Sequence, residues 1–538
     1  MSQSNQLLEK LEKLTEIGTA LSSEHNTQKL LELILLGAKD LTLADGGTLY
    51  SVQENSTIQM EIIRTDSLDY AMGGTTGNEI PFPPIPLFDE DHQPNLQMVV
   101  TNAVLLETTI NIPDAYHAEG FDFSGTAAFD ARTGYHSQSF LTVPLKNHQN
   151  DIIGVLQLLN ATDPDNGEVI PFSEEAQRLT ESLASQAAIA LTNRRLIDDL
   201  KRLLESLIQL IAAAIDEKSP YTGGHCERVP VLTMMLAEAA SAQSSGPFKD
   251  FSLDDDERYE LNIAAWLHDC GKITTPEAVI DKETKLQTIF DRIELIEARF
   301  EILKRDAHIA ALEAHLREAE SGKIHDNEID NQLSHQLEQL NNDMKFLRHA
   351  NIGGEFMNEG DQERVLSIGQ QSLLINGQPH NLMTKDELYN LTITKGTLTP
   401  EEREIINNHI VVTINMLKTL PFPKHLKQVP EFAGGHHEKM DGSGYPNRLK
   451  GEQMSVQARI MAIADIFEAL TAQDRPYKEG KKLSESLKIL GFMSKENHID
   501  SDLFKLFIDQ KLYVQYAQDY LPSSQIDEIF PENIPGYR

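Results

Sequence analysis

Leu261-Asn262-Ile263-Ala264-Ala265-Trp266-Leu267-His268-Asp269-Cys270-Gly271-Lys272 decides how the C-terminal part of this 538-residue chain is read. Leu261, Ala264, Ala265 and His268 share one face at helical spacing, and Gly271 ends or bends that helix. A histidine and an aspartate therefore close an apolar helix. A buried carboxylate is costly unless a cation or hydrogen bonds compensate it. Alone, the pair also fits a capping aspartate beside a core histidine.

Other stretches change the balance. Gly434-Gly435-His436-His437-Glu438-Lys439-Met440-Asp441-Gly442-Ser443-Gly444-Tyr445-Pro446 is dense in ligand types and in glycine. Paired histidines on a glycine-flexed loop can reach two metal ions, whereas an ordinary solvated loop has no use for them. Asp465 lies on the apolar helical face of Ala458, Met461, Ala462 and Ala469, which argues for a buried partner. His409 sits among Ile405, Ile406, Val412 and Met416; a lone histidine there is more often a satisfied core residue. His225 opens a further predicted helix after Tyr221-Thr222. Together, His225, His268, Asp269, His409, His436, His437 and Asp465 suffice for a two-metal site. The mixed nitrogen and oxygen set suits Fe, Mn or Zn better than Ca.

These motifs resemble the HD phosphohydrolase signature, in His268-Asp269-x-Gly271-Lys272, and its HD-GYP extension, in His436-His437-Glu438-x-x-Asp441-Gly442-x-Gly444-Tyr445-Pro446. Gly396-Thr397-Leu398-Thr399 and His409 fall between them, with Ala464-Asp465 and Asp474-Arg475-Pro476-Tyr477-Lys478 after. The resemblance covers about 200–285 and 391–515. It implies an all-helical domain that hydrolyses cyclic di-GMP to pGpG, GMP or both. It implies the seven residues above as metal ligands, with Asp269 bridging and catalytic and Lys272 catalytic against the phosphate. Tyr445 would shape the pocket wall, and Arg475 and Lys478 would grip substrate. Relatives with three metals carry an acidic residue where this chain has Ser219-Pro220-Tyr221. Two divalent ions, Fe or Mn, are therefore expected, with a third left open. An effector that binds cyclic di-GMP with little turnover, and a hydrolase of another nucleotide, are the alternative readings.

Working outward, residues 1–172 read as α/β. A helix carries Leu8, Leu11, Leu14 and Ile17, and strands are predicted at Gly47–Val52, Thr57–Arg64, Ser139–Leu145 and Ile152–Leu159. Phe129-Asp130 through Asn147, continuing over Ile152–Asn160, resembles a GAF domain. The resemblance implies a sensor domain, for which a cyclic nucleotide, another small molecule and no ligand at all remain the alternative readings. The stretch 67–111 reads either as pocket lining or as surface loop.

Ser173 is expected to cap a helix over 173–217. Its seam runs through Leu179, Leu183, Gln186, Ala190, Asn193, Ile197, Leu200, Leu204, Leu207, Ile211 and Ala214 at heptad spacing, read as a signalling helix of a homodimer, the alternative being a single amphipathic helix packed on its own domain. The domain of 218–538 is interrupted by a helical hairpin insert at 287–390, with Gly322 in its turn and an irregular Asn351–Gln378. The insert reads as a lid, a docking arm for a signalling partner, a dimer contact or an inert addition.

The bulk numbers bound the rest. A net charge of −36 repels nucleic acid and anionic membranes. No apolar run approaches the roughly 20 residues of a membrane span, and the polar N-terminus lacks a signal-peptide core. Two cysteines, Cys226 and Cys270, suit a reducing compartment, so a cytoplasmic location is expected.

Overall fold

The computed structural model describes residues 3–218, 224–321, 327–354, 356–472 and 480–537, with side chains from Leu8 onward. The chain divides into two compact units, 1–203 and 204–538.

In the first unit, α1 (Gln3–Ser23) and α2 (Thr27–Thr42) precede a sheet. Its strands are β1 (Ala44–Val52), β2 (Thr57–Thr65), β3 (Tyr70–Gly73), β4 (Ile85–Pro86), β5 (Ile110–Ile112), β6 (Phe140–Lys146), β7 (Ile152–Thr162) and β8 (Val169–Ile170). Two helices, α3 (Val99–Leu105) and α4 (Ser124–Thr133), interrupt the strands, and α5 (Glu174–Lys218) follows them. The central order is β3-β2-β1-β7-β6-β5, all antiparallel.

The period of two in β7 gives the sheet its two faces. Leu156 and Leu158 pack into the main core with Leu30, Ile34 and Leu35 of α2 and Leu183 and Ala187 of α5. Gln157 and Leu159, on the opposite face, line a cavity instead. The stretch 67–111 contains β3, β4, α3 and part of β5 rather than a bare loop. Leu14 of the opening helix is buried, but Leu8 and Leu11 stay exposed.

Ser173 accepts the backbone N–H of Ala176 at 3.1 Å and so caps α5. The seam of this helix splits. Leu179 and Leu183 are buried in their own unit, and Gln186 lies so close to Gly18 of α1 that a Cβ there would stand 2.0 Å from its Oε1. Gln186 is thus engaged with α1. Further along, Ile197, Leu200, Leu207 and Ile211 are exposed on one side, while Ile208, Ala212 and Ile215 are buried in the core of the second unit.

The second unit is helical. It begins with α6 (His225–Ser241) and α7 (Asp255–Leu267), a 3-10 turn at Cys270–Thr274, and α8 (Glu277–Ile280). Next come α9 (Ile293–Glu320), α10 (Asn327–Ile352), α11 (Glu359–Gly369), a hairpin of β9 (Ser372–Ile375) and β10 (Gln378–Asn381), and α12 (Lys385–Leu391). It ends with α13 (Pro400–Asn407), α14 (His409–Thr419), α15 (Val429–Gly434), α16 (Val456–Thr471), α17 (Leu483–Lys495), α18 (Ser501–Asp509) and α19 (Leu512–Tyr520).

The long arms α9 and α10 pack together through Ile296, Phe300, Leu340, Met344 and Leu347. This cluster also takes Val365, Ile368, Leu382 and Leu391, so the insert has a small core of its own. The segment Asn351–Gln378 is more regular than its glycines suggest. Asn358 caps α11 through the N–H of Asp361, and Asn376-Gly377, both at positive φ, turn β9 into β10. The turn expected around Gly322 lies outside the described residues.

Candidate metal centre

His268 and Asp269 stand between α7 and the 3-10 turn, and α14 presses on them. Gly271 makes this approach feasible: a Cβ there would lie 2.0 Å from the His409 carbonyl oxygen and 2.6 Å from Thr413 N. The Gly271 N–H instead donates to Thr413 Oγ1 at 2.9 Å. His409, at the first turn of α14, is thereby set against Asp269.

The seven candidate ligands converge. Asp269, His409, His436 and His437 form one group of donor atoms, and His225, His268 and Asp465 form another, with the atoms of each group within 4.8 Å of one another. Asp269 faces both. Its Oδ1 is 3.2 Å from His409 Nε2, and its Oδ2 is 3.3 Å from His268 Nε2 and 3.4 Å from His225 Nε2. Asp465 Oδ1 is 3.3 Å from His225 Nε2.

The imidazoles are oriented from behind. Nδ1 of His268, His409 and His436 donates to the carbonyl three residues earlier, at 2.7, 2.6 and 2.6 Å. His225 Nδ1 is bound to the Glu468 carboxylate. Each such bond places the proton on Nδ1 and turns the Nε2 lone pair inward.

That arrangement tests the fit of a cation. His225 and His268 bring their Nε2 atoms to 3.3 Å, and His409 and His437 bring theirs to 3.2 Å. Two nitrogens each about 2.1 Å from one cation, at the usual bond angles, stand roughly 3.0–3.4 Å apart. His436 Nε2 is buried without a hydrogen-bond partner among the described residues. The donor set therefore fits divalent ions of the nitrogen-accepting kind.

The electrostatics agree. Burial alone would raise the Asp269 carboxyl, but the Lys272 ammonium and His268 hold it well below the usual carboxylate range. Asp465 is likewise lowered: burial opposes this, and His225 and His436 outweigh it. Burial and the charge of His268 push His436 down to about 4. Lys272 Nζ donates to Asp269 Oδ2 at 2.5 Å and is raised by that carboxylate against the effect of burial.

Tyr445 stacks on His437 with centroids 4.8 Å apart, and burial pushes its hydroxyl up to about 12. Arg475 and Lys478 lie outside the described residues, as do Tyr221 and Thr222.

The sequence motifs assign no role to two supporting carboxylates, Glu468 and Glu438. Glu468 is fully buried and holds both His225 and Arg228, whose Nε donates at 2.6 Å. Its signal is visible: it lies three residues after Asp465, on the same side of an apolar helix. Glu438 accepts the N–H groups of Asn447 and Leu449 at 2.7 and 2.9 Å, drawing the two ends of the glycine-rich loop together.

The first unit offers a different site. A cavity of about 440 Å³ is lined by Tyr50, Met60, Ile63, Val100, Phe129 and Gln157 among others, with Asp122 as its charged side chain. Tyr70, Phe82, Ile85, Met98 and Val99, all from the stretch 67–111, line it too.

Residues 26–191 match the family model described as GAF domain, and residues 383–503 match that described as HD domain. The chain thus combines a GAF domain with an HD domain; His225, His268 and Asp269 lie ahead of the matched HD segment. The curated relatives narrow this further. The chain is 24% identical over 287 residues to "3'3'-cGAMP-specific phosphodiesterase 3" of Vibrio cholerae, covering 53% of this chain and 35% of the relative. It is 34% identical to "3'3'-cGAMP-specific phosphodiesterase 1" of the same organism, over 26% of this chain and 31% of the relative. It is 38% identical to "Cyclic di-GMP phosphodiesterase" of Thermotoga maritima, over 19% of this chain and 28% of the relative. The matches thus span about a third of these relatives' lengths or less. No helix among the described residues is long and apolar enough to cross a membrane.

Proposed function

We propose that the protein is a metal-dependent phosphodiesterase of 3',3'-cyclic dinucleotides, with cyclic di-GMP as substrate and pGpG, GMP or both as products, regulated by its GAF domain. The carrying observation is Asp269, whose two oxygens face two separate groups of imidazole and carboxylate donors. Two bound divalent ions, Fe or Mn, would supply Lewis-acid polarisation of the phosphodiester and activation of water. His225, His268 and Asp465 would hold one ion, and His409, His436 and His437 the other, with Asp269 between them. The carbonyl and carboxylate bonds at Nδ1 keep the imidazoles in the ligating tautomer.

Lys272 is the cation nearest the bridging carboxylate and would meet the charge developing on the phosphate. Tyr445, flat against His437, forms a wall on which a guanine can lie. Arg475 and Lys478 are assigned to substrate phosphate or base on sequence grounds. The cavity of the first unit is the seat assigned to a small regulatory ligand. The exposed apolar residues Ile197, Leu200, Leu207 and Ile211 support a parallel homodimer through α5. A cytoplasmic location fits this role.

A second substrate has its own support: relatives named for 3'3'-cGAMP make the hybrid dinucleotide the alternative. The test is product analysis. Anaerobic protein loaded with Fe or Mn is incubated with cyclic di-GMP and, separately, with 3',3'-cGAMP, and nucleotides are resolved chromatographically. Hydrolysis is expected in the wild type, with a loss of about 10³-fold or more in Asp269→Ala. Binding without turnover by the metal-loaded wild type would favour an effector over an enzyme.

A further inference from the structure

The centre is braced by a helix that supplies none of its seven candidate ligands. The last turn of α5 carries Asp216 and Lys218, two residues apart, and their side chains reach two different parts of the site. Asp216 is buried, and its Oδ2 accepts the backbone N–H of Cys226 at 3.2 Å. That N–H belongs to the first turn of α6, one residue beyond His225. Lys218 Nζ donates to the carbonyl of Ile273, to that of Thr275 at 2.7 Å and, more weakly, to that of Lys272 at 3.4 Å. Those carbonyls end the 3-10 turn that follows His268-Asp269 and bears Lys272.

The charges match what they hold. Free N–H groups at a helix N-terminus favour an anion, and the carbonyl end of a helical turn favours a cation. Exchanging the two side chains would set each against the wrong pole. The contacts also fall where the donor groups are most sensitive. His225 comes from α6, whereas His268 and Asp269 come from the end of α7, and their Nε2 atoms meet at 3.3 Å. A shift of one element by a fraction of an ångström changes whether both can reach one cation. His409, His436 and His437 belong to α14 and the loop after α15, which neither side chain touches in these bonds.

We propose that Asp216 and Lys218 are positioning residues: the final turn of α5 sets the spacing between His225 and His268, and so tunes the cation site of His225, His268 and Asp465 more strongly than that of His409, His436 and His437, which it reaches only through Asp269. This rests on the two-metal reading above and deepens it, because it names the point where the helix leaving the GAF domain can act on the chemistry.

The experiment uses the full chain stripped with chelator and titrated with Co²⁺, followed by visible absorption and calorimetry. Wild type is expected to take up two ions in separable steps. Lys218→Met and Asp216→Ala should weaken one step by about 10-fold or more and leave the other within about twofold, in the range seen when residues behind metal ligands are removed. Lys218→Arg and Asp216→Asn, which keep a donor and an acceptor, should restore the lost step. Circular dichroism and thermal midpoints screen every variant; should Lys218→Met not fold, Lys218→Gln takes its place. Two unchanged steps in both variants would overturn the proposal. So would an equal loss of both steps with a lowered midpoint, which marks mere structural support. A wild type that takes up no Co²⁺ would instead overturn the two-metal reading itself.

Discussion

The two halves of this molecule enclose polar groups in opposite ways. In the second unit, seven ionisable side chains crowd into one buried centre, where the Nε2 atoms of His225 and His268, and those of His409 and His437, approach each other closely. In the first unit, the polar groups lining the cavity are mainly hydroxyls, with one amide and the carboxylate of Asp122. Tyr50 donates to Gln157 Oε1 at 3.2 Å, and Gln157 Nε2 donates to Thr142 at 3.1 Å. The first arrangement offers a dense set of nitrogen and oxygen donors that fits cations. The second leaves an open volume.

The largest effect expected from this contrast is in pH dependence. His436 is pushed down to about 4 by burial and His268, and His437 is also lowered, by burial and by His436. The unfolded chain, with ordinary histidines near 6.5, therefore binds protons that the folded chain refuses between about 4 and 6.5. Stability contributed by neutral His436 is full above about 6.5 and falls as pH drops toward 4, by roughly 3 kcal/mol. His225 is shifted the other way: burial would lower it, but Glu468 and the neighbouring aspartates raise it, so its contribution is lost only above 6.5. Denaturant titrations in chelator at pH 4.5, 5.5 and 6.5 should show the slope, and His436→Gln should flatten it. An unchanged slope in that variant would remove the assumption that the centre holds this imidazole neutral.

Next comes Glu468→Gln. The glutamine can still contact Nδ1 of His225 but no longer carries the charge that holds Arg228 and the imidazole. Residues behind metal ligands typically matter by about 10–100-fold in affinity, and Mn²⁺ calorimetry should give a loss in that range. An equivalent acid in the first unit, such as Glu32 held by Arg64, should leave Mn²⁺ affinity untouched when changed to Gln.

Gly271→Ala should cost about 1–3 kcal/mol as an overpacked contact, because the methyl would enter the His409 carbonyl. It should lower the urea midpoint and weaken Mn²⁺ together, since the displaced element carries a candidate ligand. Loss of stability with unchanged Mn²⁺ affinity would separate packing from the centre.

The same contrast explains what could be read from the amino acids. The convergence of these side chains was legible because they lie in short strings whose spacing survives folding: His268-Asp269, His436-His437, and Asp465 on an apolar stripe. The four long strands were legible as strand-like runs, the last two of them joined by the turn-like stretch Asn147–Asp151. Glu468 was not singled out, because a glutamate near a helix end reads as solvated until His225 and Arg228 arrive from 240 or more residues away. The cavity was legible only in part: 67–111 offered pocket lining as one of two readings, but the remaining walls come from strands, α4 and loops whose contact is set only by the sheet. Short β3, β4, β5 and β8 gave no periodic signal of their own, being two to four residues long. In the insert, the two long arms announced themselves, but α11 and the β9–β10 hairpin hid among glycines that serve as a cap-like turn and a hairpin corner.

The smallest effect sharpens the contrast most. Tyr50 is buried, and its hydroxyl is pushed up to about 12 by burial. Tyr50→Phe removes one neutral hydrogen bond, which contributes about 1 kcal/mol, and leaves Gln157 still bonded to Thr142. The stability loss should therefore stay near that value, and Mn²⁺ affinity should not change. Its consequence belongs to the cavity: the removed hydroxyl is one of the few fixed polar groups facing that volume. The variant should thus alter how any small molecule that shifts the thermal midpoint of the wild type does so, while basal hydrolysis stays the same. A fall in basal hydrolysis with no change in midpoint would mean that the cavity lining of the first unit is coupled to the charged centre even with nothing bound.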